Sequence, residues 1–306
     1  MRFLLLVFLV FFLSFTSDHD LAADDSVQAL KIDIAGRQRM LSQRIAKAAC
    51  YISTYSDVDM QIDALKKAVD LFEKSHYALQ FGDPSMGLPK EDNVSILREL
   101  QKIDKNWHLL EFGAKSLLDM PTFPGVDMDL IAEFNLPVLR QANMAVQFME
   151  NVYSKDETLN AGLVRAINIA GRQRMLTQKA AKEFCLLSYG LNVKENQKNL
   201  KTSIRMFDQA LDDLRDGNPA QNIPPAPSEE IHKKLVETKS NWQAARATML
   251  SAANGRDAHS MDFRIISYAN EAMLRQSNEI VQMLVKFASE TVNGEETIEL
   301  QFSRGS

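Results

Sequence analysis

Arg39 and Arg174 stand in two copies of one string. Ile34-Ala-Gly-Arg-Gln-Arg-Met-Leu-Ser-Gln-Arg recurs 135 residues later as Ile169-Ala-Gly-Arg-Gln-Arg-Met-Leu-Thr-Gln-Lys. At 100° per residue, Arg39 shares a helix face, within about 60°, with Ile32, Ala35, Gly36, Gln43, Ala46 and Cys50. The counterparts Ile167, Ala170, Gly171, Arg174, Gln178, Ala181 and Cys185 are identical at every one of these positions. Small residues such as Ala35, Gly36 and Ala46 let another backbone approach closely, so a guanidinium among them is partly desolvated and needs a partner. Two partners suit its planar fork of donors: a carboxylate from a neighbouring helix, the commoner solution for a buried arginine, or a bound anion. Arg37 and Arg172 point to the other side, toward solvated or intramodule salt bridges. Cys50 and Cys185 are equivalent too. If the two motif helices meet across a local two-fold axis, their thiols come within bonding range; otherwise they are free, buried, small hydrophobes.

These side chains need long helices to hold them. Ile34, Leu41, Ile45 and Ile52 form a second face of the motif helix, its core stripe. From 34 to 50 against 169 to 185 there are 12 identities in 17 positions. The same offset pairs Phe72 with Phe207, Gly82 with Gly217, Pro84 with Pro219, Trp107 with Trp242, and Arg140-Gln-Ala-Asn143 with Arg275-Gln-Ser-Asn278. The chain is therefore a tandem repeat. Apolar residues recur at three- and four-residue spacing, and Gly/Pro clusters fall where breaks are needed. Four helices per copy are predicted, at 25–55, 58–81, 92–119 and 128–153, then 157–190, 194–216, 228–253 and 257–292. The expected fold is all-α, two tandem up-down four-helix bundle modules, at 24–155 and 156–292, with a polar tail at 293–306. Pro137, whose counterpart is Ala272, predicts a kink or late start in the fourth helix of the first copy alone. Ser154-Lys-Asp-Glu157 fits a capping box that folds the modules side by side. The absence of Gly and Pro from Asn151 to Asn160 leaves a continuous helix, with modules end to end, as the alternative.

Composition narrows the function. With 35 Lys+Arg against 40 Asp+Glu and a net charge of -5, nothing attracts a phosphate backbone, and nucleic acid is excluded as a partner. Two Cys and five scattered His cannot build a zinc site, and no Ser/His/Asp or Cys/His set recurs. No enzyme, metal or cofactor is expected. Trp107 and Trp242 read as core packing. Arg2 precedes an apolar run from Phe3 to Leu13, and Leu21-Ala22-Ala23 follows, which reads as a signal peptide over residues 1–23. The run is shorter than the roughly 18 to 20 residues a membrane span needs. A periplasmic or secreted protein is the expectation.

The repeated motif resembles the signature of the PilJ-type domain, the N-terminal sensor domain of type IV pili methyl-accepting chemotaxis transducers. More distantly it is similar to the motif helix of nitrate/nitrite sensor kinases, whose ligand domain is a periplasmic four-helix bundle. In those kinases an anion lies between two copies of this helix, one per subunit. The resemblance implies a sensor with Gly36, Arg39, Gly171 and Arg174 at an anion-binding site; Gln43 and Gln178, on the same face, complete the candidate ligand-binding set. Arg37-Gln38 departs from the smaller or apolar residues of the nitrate sensors. The implied partners are a small anion, nitrate- or nitrite-like, and a membrane receptor or sensor kinase; the chain resembles a receptor's sensing half made as a free protein. The competing class is a structural or protein-interaction helical module, its motif arginines locked in internal ion pairs.

Overall fold

A computed structural model describes the backbone of residues 18–120, 125–153 and 161–303 and, with few exceptions, the side chains from Val27 to Glu290. Residues 1–17 and the expected capping box at Ser154-Lys-Asp-Glu157 lie outside the described residues. Eight α-helices follow one another: α1 Asp18–Ser53, α2 Val58–Phe81, α3 Val94–Asp119, α4 Gly125–Tyr153, α5 Ala161–Tyr189, α6 Val193–Asp216, α7 Glu229–Ala253 and α8 Ser260–Ser303. Among the described residues there is no strand, only two isolated bridges, Asp83 with Leu88 and Asn218 with Ile223, at equivalent places in the two copies.

Local chemistry sets the helix ends. The Asn93 side chain accepts from the amides of Ser95 and Ile96 to open α3, and Ser228 accepts from the amide of Ile231 to open α7. Gly82 closes α2 with φ 82°, where a Cβ would lie 2.7 Å from the Lys90 amide nitrogen, so no other residue fits the turn. Gly217 repeats this at φ 84° after α6. Two boundaries differ from expectation. Helix α1 begins at Asp18, within the stretch expected as a leader, and α8 runs to Ser303 through the expected polar tail. Polarity does not end a helix, and Glu295-Glu-Thr-Ile-Glu-Leu contains no breaker. Nor does α4 start late: it begins at Gly125 and takes Pro137 into its interior.

Within the first copy α1 packs on α2 and α4, and α3 on α2 and α4; α5 to α8 repeat that arrangement in the second. Short connections make successive helices antiparallel, so each copy is an up-down four-helix bundle. Ile34, Leu41, Ile45 and Ile52 are each at most 2% exposed, and each such burial stabilises by about 1.5–3 kcal/mol before entropy is counted. Trp107 stacks on Phe72 at 3.8 Å and Trp242 tilts over Phe207 at 4.5 Å, so both tryptophans are core groups as expected.

The bundles join along α1 and α5, which pack directly on each other. That places the copies side by side and removes the end-to-end alternative. Lys47 of α1 donates to Asn270 of α8 at 3.1 Å, and Lys182 of α5 donates to Asn135 of α4 at 3.0 Å. Each pair maps onto the other through the 135-residue offset, the reciprocity that marks a two-fold axis. The axis passes where Cys50 and Cys185 are joined as a disulfide, with Cα atoms 6.1 Å apart. The bonded alternative for the two cysteines is the one the structure adopts. No described helix is long and apolar enough to cross a membrane.

Candidate functional site

The seam between α1 and α5 is lined by the face the copies share. Arg39 and Arg174 are 4% and 5% exposed, held there because Ala35, Gly36 and their counterparts leave room. Each guanidinium folds back over its own glycine. Arg39 Nε donates to the Gly36 carbonyl and Arg174 Nε to that of Gly171, both at 3.4 Å. A Cβ at Gly36 would lie 3.2 Å from Arg39 Nη2, and one at Gly171 would lie 3.4 Å from Arg174 Nη2. The glycines therefore act as seats for the arginines. The other end of each fork is held by the neighbouring module helix: Arg39 Nη1 donates to Asn143 Oδ1 at 3.2 Å, and Arg174 Nη1 to Asn278 Oδ1 at 3.3 Å.

The two halves then diverge. Arg174 Nη2 reaches across the seam to Asp33 Oδ1 at 2.7 Å, an ion pair between modules. Asp33 also takes Arg37 at 2.5 Å, the intramodule bridge expected of that residue. The residue equivalent to Asp33 is Asn168, whose buried Oδ1 has no hydrogen-bond partner among the described residues. Arg39 has no carboxylate within ion-pair distance among the described residues. Burial lowers the pKa of Arg39 to about 10, with Arg172 and Arg174 pushing the same way against Glu150 and Asp33. Burial also raises the Asp33 carboxyl, but Arg174 and Arg37 outweigh it and the net shift is downward. Burial moves the Glu150 carboxyl upward, against the pull of Arg39, Arg165 and Arg172. Two carboxylates, Asp33 and Glu150, thus face five guanidinium groups, those of Arg37, Arg39, Arg165, Arg172 and Arg174. The arrangement carries surplus positive charge in a desolvated seam, the setting in which an anion accepting from a guanidinium is held most strongly.

One turn farther along, Gln43 and Gln178 are fully buried on the same face. Gln43 Nε2 donates to the Asn135 carbonyl at 3.2 Å, which ties it to α4 instead of freeing it for a ligand. Neither amide atom of Gln178 has a partner among the described residues. All six candidate ligand residues and both cysteines lie along this one seam. Two clefts, of about 220 and 240 Å³, open elsewhere and include neither Arg39 nor Arg174. Sequence reasoning missed Asp33, Asn143 and Asn278. The repeat of Arg140-Gln-Ala-Asn143 as Arg275-Gln-Ser-Asn278 was the available signal for the two asparagines.

Comparison with known proteins bears on this seam. A family model described as the N-terminal part of type IV pili methyl-accepting chemotaxis transducers matches residues 25–121 and again 160–261, more than half of the 306-residue chain. The two matches start 135 residues apart, the offset of the repeat. The methyl-accepting chemotaxis protein McpN of Pseudomonas aeruginosa is 30% identical over 118 residues, 39% of this chain and 21% of that protein. The shared stretch therefore spans about a fifth of the relative's length.

Proposed function

We propose that this chain, which belongs to the PilJ family of type IV pili methyl-accepting chemotaxis transducer N-terminal domains, is an exported sensor that holds a small planar anion, nitrate- or nitrite-like, between α1 and α5. The two modules, taken as 24–155 and 156–292, would place both motif helices in one chain, so binding would need no dimer. The observation that carries the proposal is the asymmetry of the arginines: Arg39 is buried beside Arg174 and, among the described residues, has no carboxylate within ion-pair distance, Glu150 acting on it only from farther off. The anion accepts from Arg39 and from whichever face of Arg174 Asp33 leaves open, with the unpartnered Gln178 amide one turn away. Family membership supports a sensing role in chemotaxis, and the ligand state is read out by a membrane receptor or sensor kinase. Export rests on the leader-like residues 1–23 and on the periplasmic setting of the resembled sensors.

Isothermal calorimetry with sodium nitrate and sodium nitrite, against sodium chloride at equal ionic strength, tests the site. Arg39→Ala should lose about ten- to a hundredfold in affinity, the range of one charge-assisted hydrogen bond, with helical content retained. Arg174→Ala should lose less, because Asp33 already engages that side chain. Unchanged affinity in both variants sinks the assignment. One observation favours a second reading: the Asp33–Arg174 pair at 2.7 Å is what a purely structural seam would contain. Under that reading both variants lose stability and no anion raises the melting temperature of the wild-type protein.

A further inference from the structure

Helix α4 of the first module lacks a carboxylate that α8 of the second module carries at the equivalent position, and a cleft opens beside the leucine that replaces it. Lys47 is 1% exposed and fully committed: its Nζ donates to Asn270 Oδ1 at 3.1 Å and to Glu271 Oε1 at 2.9 Å, and Glu271 also takes Arg44 at 3.1 Å. Under the two-fold relation Lys182 replaces Lys47, Asn135 replaces Asn270, and the position of Glu271 falls to Leu136. Lys182 is also 1% exposed and keeps its amide partner, with Nζ donating to Asn135 Oδ1 at 3.0 Å. No carboxylate among the described residues lies within ion-pair distance of it. Its sequence neighbour Glu183 is held by Lys179 and by Ser203, the latter at 2.6 Å. A buried ammonium left with one neutral acceptor is costly, and proteins relieve that cost by pairing.

Lys182, Asn135 and Leu136 all line one cleft of about 220 Å³ between α4, α5 and α6. The cleft thus opens beside Leu136, the position equivalent to that from which α8 offers the Glu271 carboxylate to Lys47. Its wall also carries Arg140, Asn196 and two carboxylates, Glu195, which acts on Lys182 from beyond ion-pair distance, and Glu133, whose backbone carbonyl is deprived of its usual helical donor because Pro137 has no amide hydrogen. The volume exceeds the roughly 30 Å³ share of a single water several-fold. We propose that this cleft is a second ligand site, distinct from the arginine seam, that takes a small carboxylate bearing hydrogen-bonding groups, with the carboxylate on Lys182 and Asn135 left as the orienting acceptor. The recognition chemistry is the one the chain uses internally at Lys47, supplied here from outside. Burial lowers the pKa of Lys182 from 10.5 to about 8, so the ammonium is still mainly charged at neutral pH and available to pair.

The test is a thermal-shift and calorimetry series with sodium acetate, sodium lactate and alanine as probes, against sodium chloride and methylammonium chloride at equal ionic strength. At least one of the three carboxylates should raise the melting temperature saturably while the two controls do not. Leu136→Glu installs the carboxylate that Glu271 supplies at the equivalent position and fills the cleft, so it should fold, melt at or above the wild-type temperature and lose at least tenfold in affinity for that probe. Lys182→Met should lose the response as well. Leu136→Glu should leave any nitrate response at the arginine seam in place, which separates the two sites. The proposal is overturned if none of the three carboxylates shifts the protein, or if Leu136→Glu binds the active probe as well as the wild type does.

Discussion

Reducing the bond between Cys50 and Cys185 should weaken the protein by an amount set by the length of chain it closes. The two residues are 135 apart in sequence and tie the two bundles at the axis of the seam. In the chain-entropy treatment a loop of that size removes about 17 cal/mol/K from the unfolded ensemble, or about 5 kcal/mol at 25 °C. The native packing should survive, because each sulfur is fully buried and a thiol fills nearly the same space. With a urea slope of about 3 kcal/mol/M for a chain of this size, the midpoint should fall by about 1.7 M. The assay is urea unfolding followed by far-ultraviolet circular dichroism, on one preparation with and without reductant, and thiol alkylation confirms each redox state. Both forms should show the same helical signal in the absence of urea. Coincident midpoints in verified oxidised and reduced samples would refute the reasoning, since the cross-link would then constrain nothing that the unfolded chain explores. Two alkylatable thiols in the unreduced, unfolded protein would refute the pairing itself.

Asp33→Asn should cost about 1–3 kcal/mol at pH 7 by stranding Arg174, and under the proposed function it should tighten nitrate binding by freeing that guanidinium. Because the Asp33 carboxyl is shifted downward, its contribution is present above its unfolded pKa near 3.8 and lost as pH falls through the lower folded value; urea melts from pH 7 to pH 3 should show the two proteins converging in acid. Gly171→Ala should leave the melting temperature unchanged or raise it, since alanine gains about 1 kcal/mol of helix propensity and meets the guanidinium at 3.4 Å, while calorimetry shows weaker anion binding. Lys182 has the same pH direction but the opposite effect at neutral pH: its folded pKa, lowered to about 8 chiefly by burial against the opposing pull of Glu183 and Glu195, destabilises the fold below that value. Wild-type stability should rise between about pH 8 and 10.5 by up to about 3 kcal/mol relative to Lys182→Met, as measured by urea melts across that range.

The fold was legible because the chain repeats itself. Breaks at Gly82 and Gly217 and the caps at Asn93 and Ser228 are local signals, and α2 falls at the expected residues, 58–81. Helix α1 is already present at Asp18 and α8 still present at Ser303, beyond the expected 25–55 and 257–292, because nothing in those stretches forbids a helix. The seam itself was visible as seven identical positions on one face. Identity between copies finds symmetric roles, however, and conceals the asymmetric ones. Asp33 differs from Asn168 and Glu271 from Leu136, so comparing copies passed over the residues that distinguish one half-site from the other. Lys47 and Lys182 are identical but lie about 80° from the arginine on the helix wheel, outside the face singled out. Their partners sit on α8 and α4 across the seam, a relation that only the docking of the bundles creates.

The disulfide also sets how the seam can move. Cys50 lies near the C-terminal end of α1, eleven residues beyond Arg39, so the pin stands about 16 Å along the axis from the arginine level. Two parallel rods fastened at one end cannot separate by translation; any widening is a rotation about the fastening. Val27 lies 23 residues from Cys50, about 34 Å from the pin, so a 1 Å opening at the arginines becomes about 2 Å at Val27. The molecule has the geometry of a pair of tongs, in which the hinge is covalent, the load sits midway, and the displacement is largest at the N-terminal ends of the two motif helices.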